Sequence, residues 1–334
     1  MIRTELPKNI TPYQGSFFEK EQYYEPAEFK VFERRNVYVT NSGIAFQLCG
    51  LIPESVYRYS DRQKKYKLSA IYNFITKRRR KIIHPEKVIF IHNYYCPGYY
   101  HWITEALPRL FALREHCNLS ELTLVVPEYY PQYVWDSLTS FHFKKIIKTK
   151  KTELIFSEKV ITVNNVAYGS IHHPGQTRRI GEYFSSWAAA PVSERQKVYI
   201  TRRGAMRRKI VNEDKVIDLL KSRNFRIVAT EEMSFLEQVR LMSSTVLLVS
   251  IHGAGLSNMN FMREGGVVIE FYKRLSPGEY LNTSFWRLAN ACALDYYCLW
   301  CEAENRSTSF DESNLVVEIS QLQEVIDGIE NKLR

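Results

Sequence analysis

The segment SIHGAGLSNMNFM, residues 250–262, joins a strand pattern to a helix pattern through a glycine turn. The run before it, residues 245–249, is short, apolar and β-branched, as buried parallel strands are. From Leu256 to Met262 the apolar residues follow helical spacing. A strand, a turn and a helix in this order predict an α/β fold.

The same turn predicts a site for phosphate. A helix that starts at a glycine turn presents free backbone N–H groups and the positive end of its dipole. His252, Gly253, Ala254 and Gly255 would then surround the anion. The alternative is that Gly253 and Gly255 only permit a tight turn, since short glycine motifs are common.

The chain has 334 residues, which is more than one hydrophobic core usually serves, so we expect two domains. Strand and helix patterns alternate on both sides of an aperiodic stretch, residues 188–197, which we interpret as a linker. The predicted domains are residues 1–187, with a β-rich part at 27–75 that includes a hairpin turn at 40–43, and residues 198–334. The last helix is a candidate to pack back on the first domain.

The net charge of +10 indicates anionic partners, such as nucleotide phosphates, nucleic acid or a membrane face. The densest basic runs are residues 77–81, 144–151 and 202–209. No secretory signal or membrane-spanning run is visible, and the six cysteines are scattered, so we expect reduced thiols in a cytoplasmic protein.

The basic run 202–209 follows the predicted strand 198–200, and the glycine turn follows another strand. Ligands of open α/β sheets bind beyond the carboxyl ends of the strands. Arg202, Arg207 and Arg208 are therefore predicted to hold a diphosphate together with the turn, because arginine makes forked contacts to phosphate. Glu270 ends the strand 267–271 at the same edge and could accept bonds from ribose hydroxyls or pair with an arginine. Surface charge or a nucleic-acid patch is the alternative for the arginines.

The segment YYHWITEALPRL, residues 99–110, places His101, Glu105 and Arg109 four residues apart on one helix face, and Pro108 should kink this helix. A His–Glu pair at this spacing can act as a general base, with the carboxylate orienting the imidazole. It could equally be a buried polar pair that fixes the helix to a loop. No third metal ligand is evident.

Four blocks of this sequence, YYHWITEALPRL, VYITRRGAMRRKIVNE, the stretch EEMSFLEQVRLMSSTVLLVSIHGAGLSNMNFM, and GGVVIEF, resemble the successive blocks of glycosyltransferase family 61. The resemblance implies a GT-B fold, in which two Rossmann-like domains face each other across a cleft. It also implies an inverting enzyme that uses a UDP-sugar and needs no metal or other cofactor. The second domain would hold the nucleotide, with its diphosphate near the three arginines and residues 252–255.

The combined hypothesis is an inverting, metal-independent glycosyltransferase with His101 or Glu105 as base. Its partners would be a UDP-sugar and a saccharide or lipid-linked saccharide, in surface polysaccharide or glycolipid synthesis, with the basic surface at the inner membrane face. A non-catalytic or nucleic-acid-binding protein is the rival, but the basic runs lack interleaved aromatic residues, so we expect no nucleic acid. The motifs GxGxxG and GxxxxGK[ST] are absent, which argues against NAD-dependent epimerases, dehydrogenases and NTPases.

Overall fold

The structure, a computed structural model, describes residues 1–48, 50–56, 59–77, 82–83, 85–189 and 195–333. The chain divides into two compact units. The first unit is Pro26–Gly169, and the second unit combines Met1–Glu25 with Ser170–Arg334. The basic run 77–81 lies almost wholly outside the described residues, as does the middle of the predicted linker.

The N-terminal segment belongs to the second unit. It contains a two-stranded antiparallel sheet and one helix: β1 (Ile2–Arg3), α1 (Pro12–Glu19) and β2 (Tyr23–Tyr24). Thr11 caps α1 in a capping box with Gln14. Side chains of the segment bond to the rest of the unit, since Asn9 pairs with the backbone of Cys298 in both directions.

The first unit is built on an eight-stranded mixed sheet. Its strands are β3 (Val31–Val39), β4 (Ala45–Gln47), β5 (Gly50–Leu51), β6 (Ile82–Ile83), β7 (Lys87–Ile89), β8 (Thr123–Pro127), β9 (Lys145–Thr149) and β10 (Leu154–Val163). Its helices are α2 (Tyr59–Lys77), α3 (Tyr99–His101), α4 (Leu107–His116) and α5 (Gln132–Leu138). The strand order is β5-β4-β3-β10-β7-β8-β9, and β6 also pairs with β10.

The predicted hairpin turn at residues 40–43 is confirmed, because β3 and β4 pair antiparallel across it. Gly43 has a φ of 71°, and a Cβ there would overlap the carbonyl of His92, so only glycine fits. The β-rich prediction for residues 27–75 is wrong after β5, where the 19-residue helix α2 begins. Apolar and polar residues do not alternate along α2 as they do along a half-buried strand. The helix instead packs on β5 and β10.

The second unit carries a six-stranded sheet whose first five strands are parallel. The strands are β11 (Gln196–Ile200), β12 (Phe225–Val228), β13 (Thr245–Ile251), β14 (Val267–Lys273), β15 (Asp295–Ala303) and the antiparallel β16 (Leu315–Val316). The helices are α6 (Pro174–Trp187), α7 (Glu213–Ser222), α8 (Phe235–Ser243), α9 (Ser284–Ala291) and α10 (Ile319–Leu333). Five parallel strands with helices between them are compatible with the predicted Rossmann-like fold.

Two apolar layers hold helices on this second sheet. On one, Leu322, Ile326 and Ile329 of α10 are buried in one cluster with Tyr199 and Phe271 of the strands. The expectation that the last helix packs back on the first domain is corrected by this burial, because its apolar face is used within the second unit. On the other, the rings of Phe184, Phe235 and Phe261 meet edge to face with centroids 5.1–5.9 Å apart.

The described contacts also place the boundary between units differently from the predicted linker at 188–197. Helix α6 lies before that stretch, yet it packs on residues 254–261, on α8 and on α9, all of the second unit. A Cβ on Gly181 of α6 would overlap the carbonyl of Asn260, so the helix lies directly on that segment. The division between the two units therefore falls at Gly169.

The starts of α7 and α8 are fixed in different ways. Ser234 and Glu237 form a capping box at the start of α8. Asn212 precedes α7, but its side chain makes no cap bond. Its amide instead pairs with both backbone groups of Val317, which ties α7 to the segment after β16.

Candidate active site

The strand order of the second unit points to one ligand-binding position. The strand order is β12-β11-β13-β14-β15. From β11 the chain adds β12 on one side and then returns to add β13 on the other side, so the strand order reverses between β11 and β13. Ligands of open α/β sheets bind outside the carboxyl ends of the two strands at such a switch point. Here Ile200 of β11 pairs with Ser250 of β13, and Ser250 Oγ donates to the carbonyl of Ile200 over 3.0 Å. The predicted arginines leave from β11 and the predicted turn leaves from β13, so the switch point brings them together.

Arg202 lies directly against the glycine turn. Its guanidinium occupies the space that a Cβ on Gly253 would need. Gly253 has a φ of 174°, which any residue adopts, so the backbone does not require glycine, but a Cβ here would displace the end of the Arg202 side chain from the turn. A Cβ on Gly255 would lie 3.2 Å from Cγ2 of Ile200, which shows how tightly the turn sits on β11.

The segment after the turn is a 3₁₀ helix, Ala254–Phe261, where the sequence predicted an α-helix. Leu256, Met259 and Met262 recur at intervals of three and are all buried, and a repeat of three residues per turn places them on one side. The first amides of this helix, at Ala254 and Gly255, have no partner within it. Two backbone donors therefore remain at the turn beside Arg202.

Arg202 and Arg208 form a half-buried pair of cations. Burial lowers the pKa of both guanidinium groups, and the charge of Arg202 lowers the pKa of Arg208 further. Both Nε atoms are buried and have no hydrogen-bond partner among the described residues. Asp311 lies 3.8 Å from Arg208 and is largely exposed, so it neutralises the pair only weakly. An anion bound here would satisfy the two donors and relieve the repulsion.

Arg208 also has a φ of 57°, in the left-handed region that residues with a Cβ avoid. Such strain costs on the order of 1–3 kcal/mol and is concentrated at ligand sites. Arg207, the third predicted arginine, has an exposed side chain, and its carbonyl accepts a long bond of 3.5 Å from Arg202. The loop 202–208 thus folds back so that its first arginine lies against the turn and its last arginine lies near the first.

His252 and Glu270 lie next to this cluster as a bonded pair. Nδ1 of His252 bonds to Oε1 of Glu270, and the hydroxyl of Tyr296 donates to Oε2 over 2.6 Å. Both oxygens of this buried carboxylate are therefore engaged inside the protein. The sequence suggested ribose hydroxyls or an arginine as its partners, and the structure gives it His252 and Tyr296. Phe285 and Phe310 enclose the imidazole edge to face, with centroids 4.8 and 4.7 Å away.

In the first unit, the predicted pair His101 and Glu105 lies at a second switch point. The parallel strands lie in the order β10-β7-β8-β9. The chain adds β8 and β9 on one side of β7 and then β10 on the other side, so the strand order reverses between β7 and β10. Glu105 Oε2 accepts from Asn93 Nδ2, in the loop after β7, over 3.0 Å. Its Oε1 accepts from the amide of Gly169, in the loop after β10, over 3.2 Å. The buried carboxylate thus bridges the two loops that leave the switch point.

His101 takes the remaining position on this carboxylate, with Nδ1 2.7 Å from Glu105 Oε1. Its other ring nitrogen, Nε2, has no hydrogen-bond partner among the described residues. The ring of Tyr95 lies beside the imidazole with a centroid distance of 5.2 Å. Because a carboxylate accepts a proton from Nδ1, Nε2 is the basic nitrogen of this histidine.

The helix that carries this pair is irregular at Pro108, as the sequence predicted. Between α3 and α4 the residues Trp102–Ala106 form a π-helix, and the amide of Leu107 bonds to the carbonyl of Trp102. Proline lacks the amide that would continue the α-helical pattern. Arg109, on the same face, is buried and donates to the carbonyls of Ile91 and Val163 at 2.6–3.0 Å, so it holds the helix to the sheet.

Sequence reasoning missed the residues that orient the two histidines. Asn93, Gly169 and Tyr296 lie 12, 64 and 26 residues along the chain from their partners. No motif marks them, since each is brought in by the pairing of strands. In the part of the chain that the structure describes, no group of three or more His, Cys, Asp or Glu side chains could hold a metal ion. The same part contains no helix long and apolar enough to cross a membrane.

The fold and these two sites define an α/β protein with a half-buried arginine pair at the switch point of one unit and a histidine–carboxylate pair at the switch point of the other. Residues 99–269, about half of the chain, match the family described as glycosyltransferase 61, and the chain belongs to this family. The matched range contains His101, Glu105, Arg202, Arg208 and residues 252–255, whereas Asn93, Glu270 and Tyr296 lie outside it.

Two kinds of curated relatives match part of the chain. The EGF domain-specific O-linked N-acetylglucosamine transferase of Mus musculus is 31% identical over 87 residues, 25% of this chain and 16% of that protein. The protein O-linked-mannose beta-1,4-N-acetylglucosaminyltransferase 2 of Xenopus laevis is 33% identical over 110 residues, 31% of this chain and 18% of that protein. Its Takifugu rubripes counterpart is 35% identical over 107 residues, 30% of this chain and 18% of that protein. The alignments thus cover under a fifth of each of these relatives.

Proposed function

We propose that this protein is an inverting glycosyltransferase of GT-B type that transfers a sugar from a UDP-sugar to a hydroxyl group of a saccharide acceptor. The observation that carries the proposal is the half-buried pair Arg202 and Arg208 at a switch point, where the guanidinium of Arg202 meets the glycine turn. Family membership supports the reaction class, and the site supports a diphosphate as the group that is bound.

In this proposal the second unit binds the donor. Arg202, Arg208 and the amides of Ala254 and Gly255 contact the diphosphate and take up the negative charge that grows on the leaving oxygen. Glu270, itself held by Tyr296, fixes the ring of His252 through Nδ1, so that His252 as an imidazolium adds a donor, Nε2–H, at the same position. These groups supply the charge that a divalent cation would otherwise supply, so the transfer is metal-independent.

The first unit supplies the base. The acceptor hydroxyl attacks the anomeric carbon, its proton passes to Nε2 of His101, and the bond from that carbon to the UDP oxygen breaks. Glu105 holds the proton on Nδ1 and stabilises the imidazolium that forms. Glu105 itself is the alternative base if His101 only shapes the loop. Its two oxygens already accept three bonds, which favours the histidine.

The names of the relatives guide the choice of donor. They describe transferases of N-acetylglucosamine, so UDP-N-acetylglucosamine is the first donor to test. For the acceptor we retain a saccharide or lipid-linked saccharide of surface polysaccharide or glycolipid synthesis. The basic charge favours work in the cytoplasm at the inner face of an anionic membrane.

The deciding experiment is a binding and hydrolysis screen on the purified chain. UDP should raise the melting temperature and bind more tightly than UMP, because the second phosphate reaches the arginine pair. A set of nucleotide-sugars should then identify one donor that is hydrolysed. A short DNA oligomer is the comparison for the rival function. Stabilisation by DNA with no response to UDP would replace the proposal with nucleic-acid binding.

A further inference from the structure

A concave surface lies in the first unit, close to the His101–Glu105 pair. It has a volume of about 410 Å³ and is lined by Asn41, Ser42, Tyr94, Pro97, Tyr129 and Lys151. Tyr94, Tyr129 and Lys151 lie in the loops that follow β7, β8 and β9, and Asn41 and Ser42 form the turn after β3. The carboxyl ends of the parallel strands therefore supply most of the surface, which is where such sheets bind ligands.

The turn after β3 is fixed to the opposite side of the surface. Asn41 Nδ2 donates to the carbonyl of Lys150 over 2.6 Å and to Thr149 Oγ1 over 3.3 Å. Gly43 lies directly on the carbonyl of His92, so the turn also contacts the loop after β7. These contacts give the pocket a preformed wall, as small-molecule sites require.

Two tyrosine rings in this pocket are exposed without an evident structural reason. Tyr94 is 65% exposed and Tyr129 is 42% exposed, although large aromatic side chains are usually buried. Exposed tyrosines offer a flat apolar face with a hydroxyl at its edge. A sugar ring has the matching chemistry, because its C–H groups form an apolar face and its hydroxyls lie at the rim.

The pocket also carries a positive charge that nothing in the described chain neutralises. The Lys151 ammonium lies 4.8 Å from the ring centroid of Tyr129 and forms no ion pair with a described residue. It is the last residue of the basic run 144–151, in which Lys148 contacts the ring of Trp135. A lysine held on an aromatic ring stays within reach of a ligand that stacks there. An anionic substituent on that ligand would therefore meet this ammonium group.

Two contacts between aromatic rings connect the pocket to the proposed base. Tyr94 meets Tyr95 edge to face at 5.3 Å, and Tyr95 lies 5.2 Å from the imidazole of His101. All three residues of this connection belong to the loop after β7 and the helix that follows it. A saccharide stacked on Tyr94 would thus be separated from His101 along this connection by the rings of Tyr94 and Tyr95.

We propose that the pocket formed by Tyr94, Tyr129, Lys151 and the turn Asn41–Ser42 binds an acidic saccharide, which makes the acceptor an acidic one. The tyrosine rings stack on the sugar, and Lys151 pairs with its carboxylate or phosphate. The acceptor role rests on the proposed function, whereas saccharide binding itself does not. The volume suits one or two sugar rings, which separates this pocket from a protein-docking surface.

The test titrates glucuronic acid, glucose 6-phosphate and glucose into the full chain and measures binding by saturation-transfer NMR. Both acidic sugars should bind about three- to fivefold more tightly than glucose, the effect of one exposed ion pair. Lys151→Gln should remove that difference, and Tyr94→Ala should weaken all three sugars about fivefold. Lys145→Gln and Tyr72→Ala, which change an exposed lysine and an exposed tyrosine elsewhere in the same unit, are the matched controls. Glucose 6-phosphate is also titrated into Arg202→Ala, which removes the competing phosphate site.

The outcomes separate the two proposals. A preference for only one acidic sugar identifies carboxylate or phosphate as the substituent. Equal binding of acidic and neutral sugars, or acidic binding that Lys151→Gln does not change, overturns the acidic saccharide. No sugar binding in a chain that binds UDP overturns the pocket and leaves the proposed function standing. Sugar binding in a chain that neither binds UDP nor hydrolyses a nucleotide-sugar leaves a saccharide site without the transferase. If Tyr94→Ala fails to fold, Lys151→Gln alone decides.

Discussion

Glu105 Oε1 lies 2.7 Å from Nδ1 of His101, one helical turn away, and the carboxylate is 1% exposed while the imidazole keeps 29% of its side-chain surface. The buried partner is thus held by the protein and the exposed partner faces outward. His252 and Glu270 form the same Nδ1–carboxylate bond in the second unit, but there both side chains are buried, and Tyr296 takes the place of Asn93 and Gly169. Each unit therefore presents one histidine whose Nε2 is oriented by a carboxylate bonded to Nδ1.

The first prediction concerns the base. His101→Ala should lower kcat by about 10²–10⁴, the usual effect of losing a general base, with UDP affinity unchanged. Glu105→Gln should lower kcat by less, because the amide still fixes the ring but stabilises the imidazolium poorly. His142→Ala, at an exposed histidine of the same unit, is the control. Near-normal turnover in His101→Ala with none in Glu105→Gln would exchange the two roles, and full activity in both would make the pair structural.

The second prediction concerns the arginine pair. Arg202→Ala and Arg208→Ala should each weaken UDP binding about ten- to a hundredfold, since a charge-assisted bond contributes roughly 1.5–3 kcal/mol. Calorimetric titration with UDP measures the effect. Arg203→Ala is a matched control, because this neighbour is exposed and pairs with Glu213 and Asp214. Unchanged affinity in both variants would place the diphosphate elsewhere.

The third prediction concerns the glycine turn. Gly253→Val should abolish UDP binding more completely than Arg202→Ala, because its Cβ displaces Arg202 and its branches block the turn amides. The backbone at Gly253 is extended, so the fold should survive, and circular dichroism checks this. Gly175→Val is the control, as a Cβ there meets nothing within 4 Å. Retention of UDP affinity in the Gly253 variant would rule out a phosphate at this turn.

The fourth prediction concerns metal ions. Transfer should continue in excess EDTA, because arginines and backbone amides supply the charge at the proposed diphosphate site. Initial rates with and without EDTA, and with added Mn²⁺, measure this. Loss of activity in EDTA that Mn²⁺ restores would show that the arginine pair is insufficient.

The fifth prediction concerns acid stability. Burial lowers the pKa of His92 to about 3 and that of His172 to about 4, from an ordinary value of about 6.5. Below pH 6.5 these two histidines therefore bind protons in the unfolded chain but not in the folded chain. The free energy of unfolding thus falls as the pH falls toward 4. Each histidine contributes a slope of about 1.4 kcal/mol per pH unit. Urea unfolding at pH 7.5 and 5.5 should show this loss, His172→Gln should reduce it, and the exposed His142→Gln should not.

Local patterns in the sequence determined the elements of the second unit and the spacing of His101 and Glu105. The run 245–249 is apolar and β-branched, and β13 forms there because only a buried strand satisfies such residues. Four residues on a helix place Glu105 beneath His101 whatever surrounds them. The segment 254–261 was less determined, because residues three apart share a face in an α-helix as well as in a 3₁₀ helix.

Only the tertiary structure decided where these elements meet. The order β12-β11-β13 and the order β10-β7-β8 are set by long-range strand pairing, which no local pattern encodes. That pairing brings Arg202 onto Gly253, Asn93 and Gly169 onto Glu105, and Tyr296 onto Glu270. The residue types could be named from the sequence, whereas their burial and bonds depend on contacts between strands distant in the chain. Those contacts make Glu270 the partner of a histidine.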